Sequence, residues 1–471
     1  MHQHHILGVL FTACVFVVGC SGDTGPLFGQ TTNSSSSGGG GAGGAGGSGG
    51  GAVETPPDYG LLYDIGKISE FTITFTAADW MALEADRVKN EMLPANQRDF
   101  TYVPCSVTFN GETWTQVAIR YKGNSSFNIP GPKNSFKLDI NELVAGQNIH
   151  GIKKMNFNNG FKDPTMLREC MSLEMYRNAG VQAPRCAYAR INYDLGDGQG
   201  PRYWGLYTNI EQVDKTYLTD RFTAEFSDGN LYKPDGPGSD LSMFSQTTYE
   251  KKTNETAADY SDIIALIDLL KTLNDPTSVK TNLEPIFNID GFLRFLAINN
   301  ILTSWDSYPG TGHNYYLYNN PKNKGATGKD YWEYIVWDAN EAFGNFIPMG
   351  KTAVDNLSWP WDQPFAMYQK VLISKILLVP EWRTKLGEYM KQYLKDPKVF
   401  EPVAAQARAD ELHKFIGDAV HQDKNFLFTT ANPDQFTQGL TQDVQGGPQG
   451  AILALKPYIA GRAMFLNGSI P

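Results

Sequence analysis

No lysine or arginine occurs in the first 57 of 471 residues, although the whole chain has 40. Cysteine is scarce, with five residues and no Cys-x-x-Cys or Cys/His spacing of a zinc site. Of seven histidines, His2, His4 and His5 crowd the start; His150, His313, His413 and His421 remain, with no His-Glu-x-x-His pair for a zinc hydrolase. Net positive charge is missing too. A formal charge of −10 excludes a nucleic-acid binder that works by neutralising phosphates. The apolar run at 6–19 has 14 residues, short of the roughly 20 that span a bilayer. No internal repeat of about 20–50 residues is visible. What is present, 41% apolar and 19% charged residues, describes a globular chain.

The N-terminus reads as an address and a tether. Residues 6–19 fit the apolar core of a secretion signal. They end at Val17-Val18-Gly19-Cys20, which resembles the bacterial lipoprotein processing site. This implies cleavage before Cys20 and lipidation of that cysteine. The first residues, Met-His-Gln-His-His, lack the usual basic charge, and plain secretion or an uncleaved start are the alternatives. Residues 21–57 form a leash, including a tract at 38–52 made only of Gly, Ala and Ser. Residues 1–57 hold 16 of the 47 glycines, so the remaining 414 residues are ordinary in glycine and carry about −8. A literal Gly-x-Ser-x-Gly at 46–50 lies in this tract, which supplies no strand or helix for a nucleophile elbow. With Cys20 lipidated, at most one disulfide can form. Cys170 and Cys186 are a candidate pair, and free buried thiols are the alternative.

The folded part divides into residues 58–235 and 236–471. The first is strand-rich, with strands expected at 72–76, 100–109, 113–121, 135–140, 187–193 and 203–211. Asn110-Gly111 is a strong hairpin turn signal. Helices are expected at 77–90 and from Asp163-Pro164 to Asn178-Ala-Gly180, with Asp as cap and Gly past the end. From 259 the pattern becomes helical (260–273, 290–303, 364–378, 380–394, 401–416 and 448–467), interrupted by a β pair at 313–318 and 332–338. The expected fold class is α+β.

Four groupings carry chemistry. Gly344-Asn-Phe-Ile-Pro-Met-Gly350-Lys351-Thr352 imitates a phosphate loop but has one residue too many between its glycines, and bulky side chains where N–H groups must converge. Arg120-Tyr-Lys122-Gly123-Asn124-Ser125-Ser126 lies between two strands, a turn able to offer N–H groups and positive charge to phosphate. Lys137 follows on the returning strand, on the opposite face from Phe136 and Leu138. The helix after Asp163 offers Arg168, Glu169 and Glu174, of which a buried carboxylate would pair with Lys137. Finally, Asp306, Asn314 and Asp338-Ala-Asn340 lie among aromatic residues, where an aspartate is costly unless it binds a cation or caps a turn.

These pieces together resemble the spore-coat-protein-H-type (CotH) kinase family. The carrying motifs are Arg120-x-Lys-Gly-Asn-Ser-Ser, Ser135-Phe-Lys-Leu-Asp, Leu167-Arg-Glu, Gly180-Val-Gln-Ala-Pro-Arg185, Tyr203-Trp-Gly-Leu-Tyr207, Glu211-Gln-Val-Asp-Lys215, Gly229-Asn-Leu-Tyr-Lys233 and Trp337-Asp338. The resemblance implies a two-lobed protein-kinase-like fold, with a β-rich N-lobe around one central helix and a mainly helical C-lobe. It implies ATP and Mg²⁺ as cofactors. Arg120, Lys122, Gly123, Asn124, Ser125 and Ser126 would cover the phosphates, with Lys137 contacting them and Glu169 as its partner. The segment 208–213, including Glu211, would lie beneath the adenine. Asp306 would be the catalytic base, and Asn314, Asp338 and Asn340 the metal ligands. Family members often read Asp-x-Asp where this chain has Asp338-Ala-Asn340, and an asparagine oxygen brings no charge to a second metal. The implied protein is a monomeric lipoprotein kinase at the bacterial cell envelope or surface, phosphorylating Ser or Thr of exported proteins, with no nucleic-acid partner. A catalytically silent surface-displayed binding protein, or transfer of a nucleotidyl group, are the competing functions.

Overall fold

Alternating burial builds the first half. In β1 (Ile68–Thr74), Phe71 and Ile73 point inward, and in β2 (Val103–Phe109) every second residue is buried. Asn110 and Gly111, both at positive φ, turn the chain into β3 (Glu112–Tyr121), the hairpin expected from Asn-Gly. Then follow β4 (Phe136–Asp139), β5 (Lys154–Asn158), β6 (Cys186–Asp194) and β7 (Arg202–Glu211). These seven strands close into a barrel in the order β1-β2-β3-β4-β5-β7-β6. The closing contact is parallel, from Ile68 opposite Tyr188 to Thr74 opposite Asp194; the other pairs are antiparallel. Aromatic rings fill the interior. Phe71 stacks on Phe109 and Phe136 on Phe157, with centroids 4.6 and 4.8 Å apart, and Tyr207 meets Phe136 edge-on.

The computed structural model describes residues 55–127, 131–236, 238–323, 331–366, 369–445 and 451–471. The expected signal, the leash with its 38–52 tract, and the lipidation site Cys20 lie outside the described residues.

The expected two-lobed kinase-like arrangement is not found. The strands close on themselves through the β1–β6 pairing, so the first half is a barrel. The expected central helix, Arg168–Asn178, is not in the barrel's core. Its Leu173, Met175 and Tyr176 belong to the other, larger core together with Phe295 and Tyr334. Nor is the second half built of helices alone. A four-stranded sheet packs among them and takes one strand from the first half, in the order β11 (Tyr331–Val336), β10 (Tyr315–Asn320), β8 (Asn230–Pro234) and β9 (Tyr249–Lys251). Local periodicity marks β10 and β11 as a pair, but it carries no information on β8 joining them from 80 residues upstream. The fold is a β-rich α+β structure with helices around a barrel and a small sheet.

Cys170, on the helix Arg168–Asn178, forms a disulfide with Cys186, the first residue of β6, with Cα atoms 5.1 Å apart; Cys105 is a buried free thiol. The bridge ties the helix to the barrel wall. Replacing both cysteines by alanine is expected to lower the unfolding free energy by about 3 kcal/mol, the loop-closure value for a loop of this size. Urea unfolding with and without reductant checks it; reduction that leaves the wild-type midpoint unmoved counts against the bridge.

Candidate active site

The turn between β3 and β4 is held on several sides. Lys122 N–H donates to the Ser135 carbonyl at 2.9 Å. Gly123 sits at φ +109°, and a Cβ there would lie 2.3 Å from Ser126 Oγ, so the turn needs glycine. Arg98 donates to the Asn124 carbonyl and lies over Phe127. Asn159 Nδ2 donates to the carbonyls of Ser126 and Lys133, at 3.1 and 2.9 Å. Lys133 in turn is fully buried against Asp423, 2.5 Å away, at the end of the helix Pro402–Gln422. The turn therefore presents Lys122, Gly123, Ser125 and Ser126 to a cleft whose other walls include Glu169, Thr208, Lys233, Trp337, Asp338, Asn340 and Glu341.

Glu169 enters from the first turn of its helix. Its two oxygens accept from Asn158 Nδ2 and Thr208 Oγ1, both at 2.8 Å, which fixes the carboxyl. Burial, then the charge of Asp338, push its pKa up to about 7 against the pull of Asn158, Thr208 and Lys122. Between pH 4.5 and about 7 the folded protein therefore holds this proton more tightly than the unfolded chain, and stability falls as pH rises through that window. Glu169→Gln is expected to remove this slope. Its stability relative to wild type should grow between pH 5 and 7.5 in thermal melts without ligand, and parallel curves would refute the assignment.

Asp306 follows the helix Ile289–Leu302 and is 2% exposed. Its Oδ1 meets His313 Nε2 at 3.0 Å and accepts from Thr311 Oγ1 at 3.2 Å. Asn314 Nδ2 donates to Asp306 Oδ2 at 3.1 Å and to its carbonyl at 2.9 Å. Burial pulls the His313 imidazolium down, but the Asp306 carboxylate outweighs it and the pKa ends above its ordinary value. Asp338 lies just past β11. Burial and the nearby charge of Asp306 raise its pKa. Burial also lifts Glu341 to about 7 despite its 2.7 Å ion pair with Lys162. Asn314 and Asp338 both hold left-handed backbone, φ 58° and 53°, a conformation non-glycine residues adopt at a cost.

The cleft brings together Lys122, Gly123, Ser125, Ser126, Glu169, Asp338 and Asn340 from the sequence-derived set. Asp306 and Asn314 do not line the cleft; they bond to each other, and the Asp306 charge reaches Asp338. Asn124 is buried beneath the turn, held through its carbonyl. Arg120 is buried, stacked over Tyr102 and donating to the Tyr121 carbonyl. Lys137 is buried on β4 opposite Arg120 and Asn156, and is not among the residues lining the cleft. Glu211 lies away from it, bound to Arg185 at 2.8 Å and Arg221 at 3.2 Å. Sequence reasoning missed Lys233, His313 and Glu341 as site residues. The Gly229-to-Lys233 motif was the available signal for Lys233, whereas nothing local to His313 or Glu341 announces their partners.

This order of elements and motifs is matched by a family model. The CotH kinase protein model covers residues 119–465, about three-quarters of the chain. The chain belongs to the CotH kinase protein family. Its CotH relatives include the inner spore coat protein H of Bacillus subtilis (strain 168), 27% identical over 252 residues, covering 47% of this chain and 64% of that protein. Invasin CotH3 of Rhizopus delemar is 25% identical over 373 residues, 72% of this chain and 58% of the relative. Invasin CotH2 of the same fungus is 24% identical over 395 residues, 76% and 61%. The chain thus spans less than two-thirds of the length of each. CotH membership makes this a kinase-like protein.

Membership in the CotH kinase protein family suggests ATP and Mg²⁺. Among the described residues no cluster of three or more His, Cys, Asp or Glu side chains forms a metal cage. Mg²⁺ needs none, because it binds one or two carboxylates and takes the rest from phosphate and water. Asn314 fits this role. Its Nδ2 is committed to Asp306, while its Oδ1 is buried with no hydrogen-bond partner among the described residues. Such an orphaned acceptor beside the raised Asp338 carboxyl suits a hard cation.

Proposed function

We propose that the protein is an ATP- and Mg²⁺-dependent protein kinase that transfers the γ-phosphate to Ser or Thr of exported or surface proteins, tethered through lipidated Cys20. The observation that carries the reading is the hydrogen-bonded Asp306–Asn314 pair, whose charge reaches Asp338 in the wall of a cleft shared with Lys122 and a glycine–serine turn. The turn's N–H groups and Lys122 would hold phosphate oxygens. Asp338 and Asn314 would hold Mg²⁺, which when bound neutralises charge on the phosphates; Asn340 adds an uncharged oxygen at most. Asp306 would accept the proton of the attacking hydroxyl, with His313, Thr311 and Asn314 fixing its orientation. Glu169 would keep Lys122 turned into the cleft by its charge. Lys137 would add positive charge behind that wall. The Cys170–Cys186 disulfide and the names of the relatives, a spore coat protein and invasins, support an exported or surface location.

The test is a thermal shift by ATP with Mg²⁺, paired with transfer of label from γ-labelled ATP and mass spectrometry of the acceptor. A phosphate gain on Ser or Thr supports the reading. A whole-nucleotide gain would replace it with nucleotidyl transfer. Neither shift nor label would leave a silent binding protein.

A further inference from the structure

Lys233 is buried, 6% exposed, and borders the cleft beside Asp338. Buried Lys133 has Asp423 as a carboxylate partner, and half-buried Lys162 has Glu341. Lys233 does not. Among the described residues its ammonium has no ion-pair partner and no hydrogen-bond acceptor. Its neighbours are ring faces, Trp337 at 5.8 Å and Tyr316 at 5.9 Å. Rings return only part of what an ammonium loses on leaving water. A buried cation kept in this state, opening onto a cleft, is poised for an anion.

Its position says which anion. Two lysines lie over the Trp337 ring, each 5.8 Å from it, Lys122 just past barrel strand β3 and Lys233 on β8 of the small sheet. The pairing of Tyr232 with Leu317 sets Lys233 level with Tyr316, two residues from Asn314. Lys122 acts electrostatically on both Glu169 and Asp338, and Lys233 acts on Asp338, whose pKa the nearby Asp306 charge raises. Lys233 therefore stands on the side where the attacking hydroxyl and the transferred group would meet.

We propose that Lys233 grips the terminal phosphate of a nucleoside triphosphate, while Lys122 and the glycine–serine turn hold the inner phosphates. This rests on reading the cleft as an ATP phosphotransferase site. In the step it serves, the bond from the γ-phosphorus to the β–γ bridging oxygen breaks and ADP leaves with that electron pair. The acceptor hydroxyl oxygen bonds to the phosphorus, and its proton goes to the Asp306 carboxylate. Lys233 neutralises the γ-oxygens throughout.

The experiment compares Mg²⁺-loaded ADP with the non-hydrolysable triphosphate adenylyl imidodiphosphate by calorimetry, on wild type, Lys233→Met, Lys233→Gln and Lys122→Met. Wild type is expected to prefer the triphosphate. Both Lys233 variants should lose about 10-fold or more in triphosphate affinity, the range of a charge-assisted hydrogen bond, with ADP affinity within about twofold. Lys122→Met should weaken both ligands. Lys233 variants that keep the triphosphate preference, or lose ADP and triphosphate equally, overturn the proposal while leaving the kinase reading standing. A wild type that binds neither nucleotide overturns both. The Gln variant keeps a polar head of similar reach, so misfolding of the Met variant alone leaves the comparison intact.

Discussion

Asp306→Asn is expected to lower the rate of phosphoryl transfer by about 10²–10⁴-fold, the range supplied by a positioned general base, while ATP·Mg²⁺ binding stays within a few-fold of wild type. The substitution keeps size and shape but removes the proton acceptor. It also disturbs what surrounds it. Asp306 now accepts from His313, Thr311 and Asn314 through its two oxygens. An amide in its place must point an NH₂ group at one of these donors, and the most adaptable is His313, which can present its other protonation state. The variant should therefore fold, with the imidazole of His313 shifted down because the carboxylate that holds it up is gone. Single-turnover transfer and the His313 titration by NMR read the two consequences separately. Unchanged transfer in Asp306→Asn would remove Asp306 from the chemistry and favour a silent scaffold.

Where sequence reasoning succeeded, the signal was local. Asn110-Gly111 specifies the β2–β3 hairpin through two positive φ angles, and Gly180, at φ 80°, ends the helix that bears Glu169. The start of that helix shows the limit. Asp163-Pro164 reads as cap and first residue, yet the helix begins at Arg168. Asp163 instead accepts from the N–H groups of Thr165 and Arg168 and from the Arg168 guanidinium, and Met166 turns at φ 56°. A short Asx turn outcompeted the helix there. Barrel closure was out of reach for a different reason: β1 and β6 pair in parallel across more than a hundred residues, and alternation specifies a strand's faces but not its neighbour. The same holds at the cleft. Carboxylates and glycines announce themselves by type and spacing, while Lys233 became visible only once burial showed that its charge has no partner.

Asp338→Ala should separate function from stability most sharply. The Asp338 carboxylate lies within electrostatic reach of Asp306, Glu169 and Glu341, and each of these contacts is repulsive. Lys122 and Lys233 offset them only in part. A fold built for its own stability would not gather four carboxylates around one cleft, whereas a fold built to hold Mg²⁺ against a polyphosphate must. Removing Asp338 is therefore expected to raise the melting temperature of the ligand-free protein at pH 7.5, because Glu169 and Glu341 ionise more easily without it. The same change should abolish the Mg²⁺ dependence of the ATP thermal shift and lower transfer by about 10³-fold, since Lewis-acid neutralisation at a phosphoryl centre is worth several kcal/mol. The opposite signs are the diagnostic. A variant that melts lower and still responds to Mg²⁺ would mean that Asp338 is a structural cap whose cost the fold accepts, and the metal would then have to be sought elsewhere along the cleft.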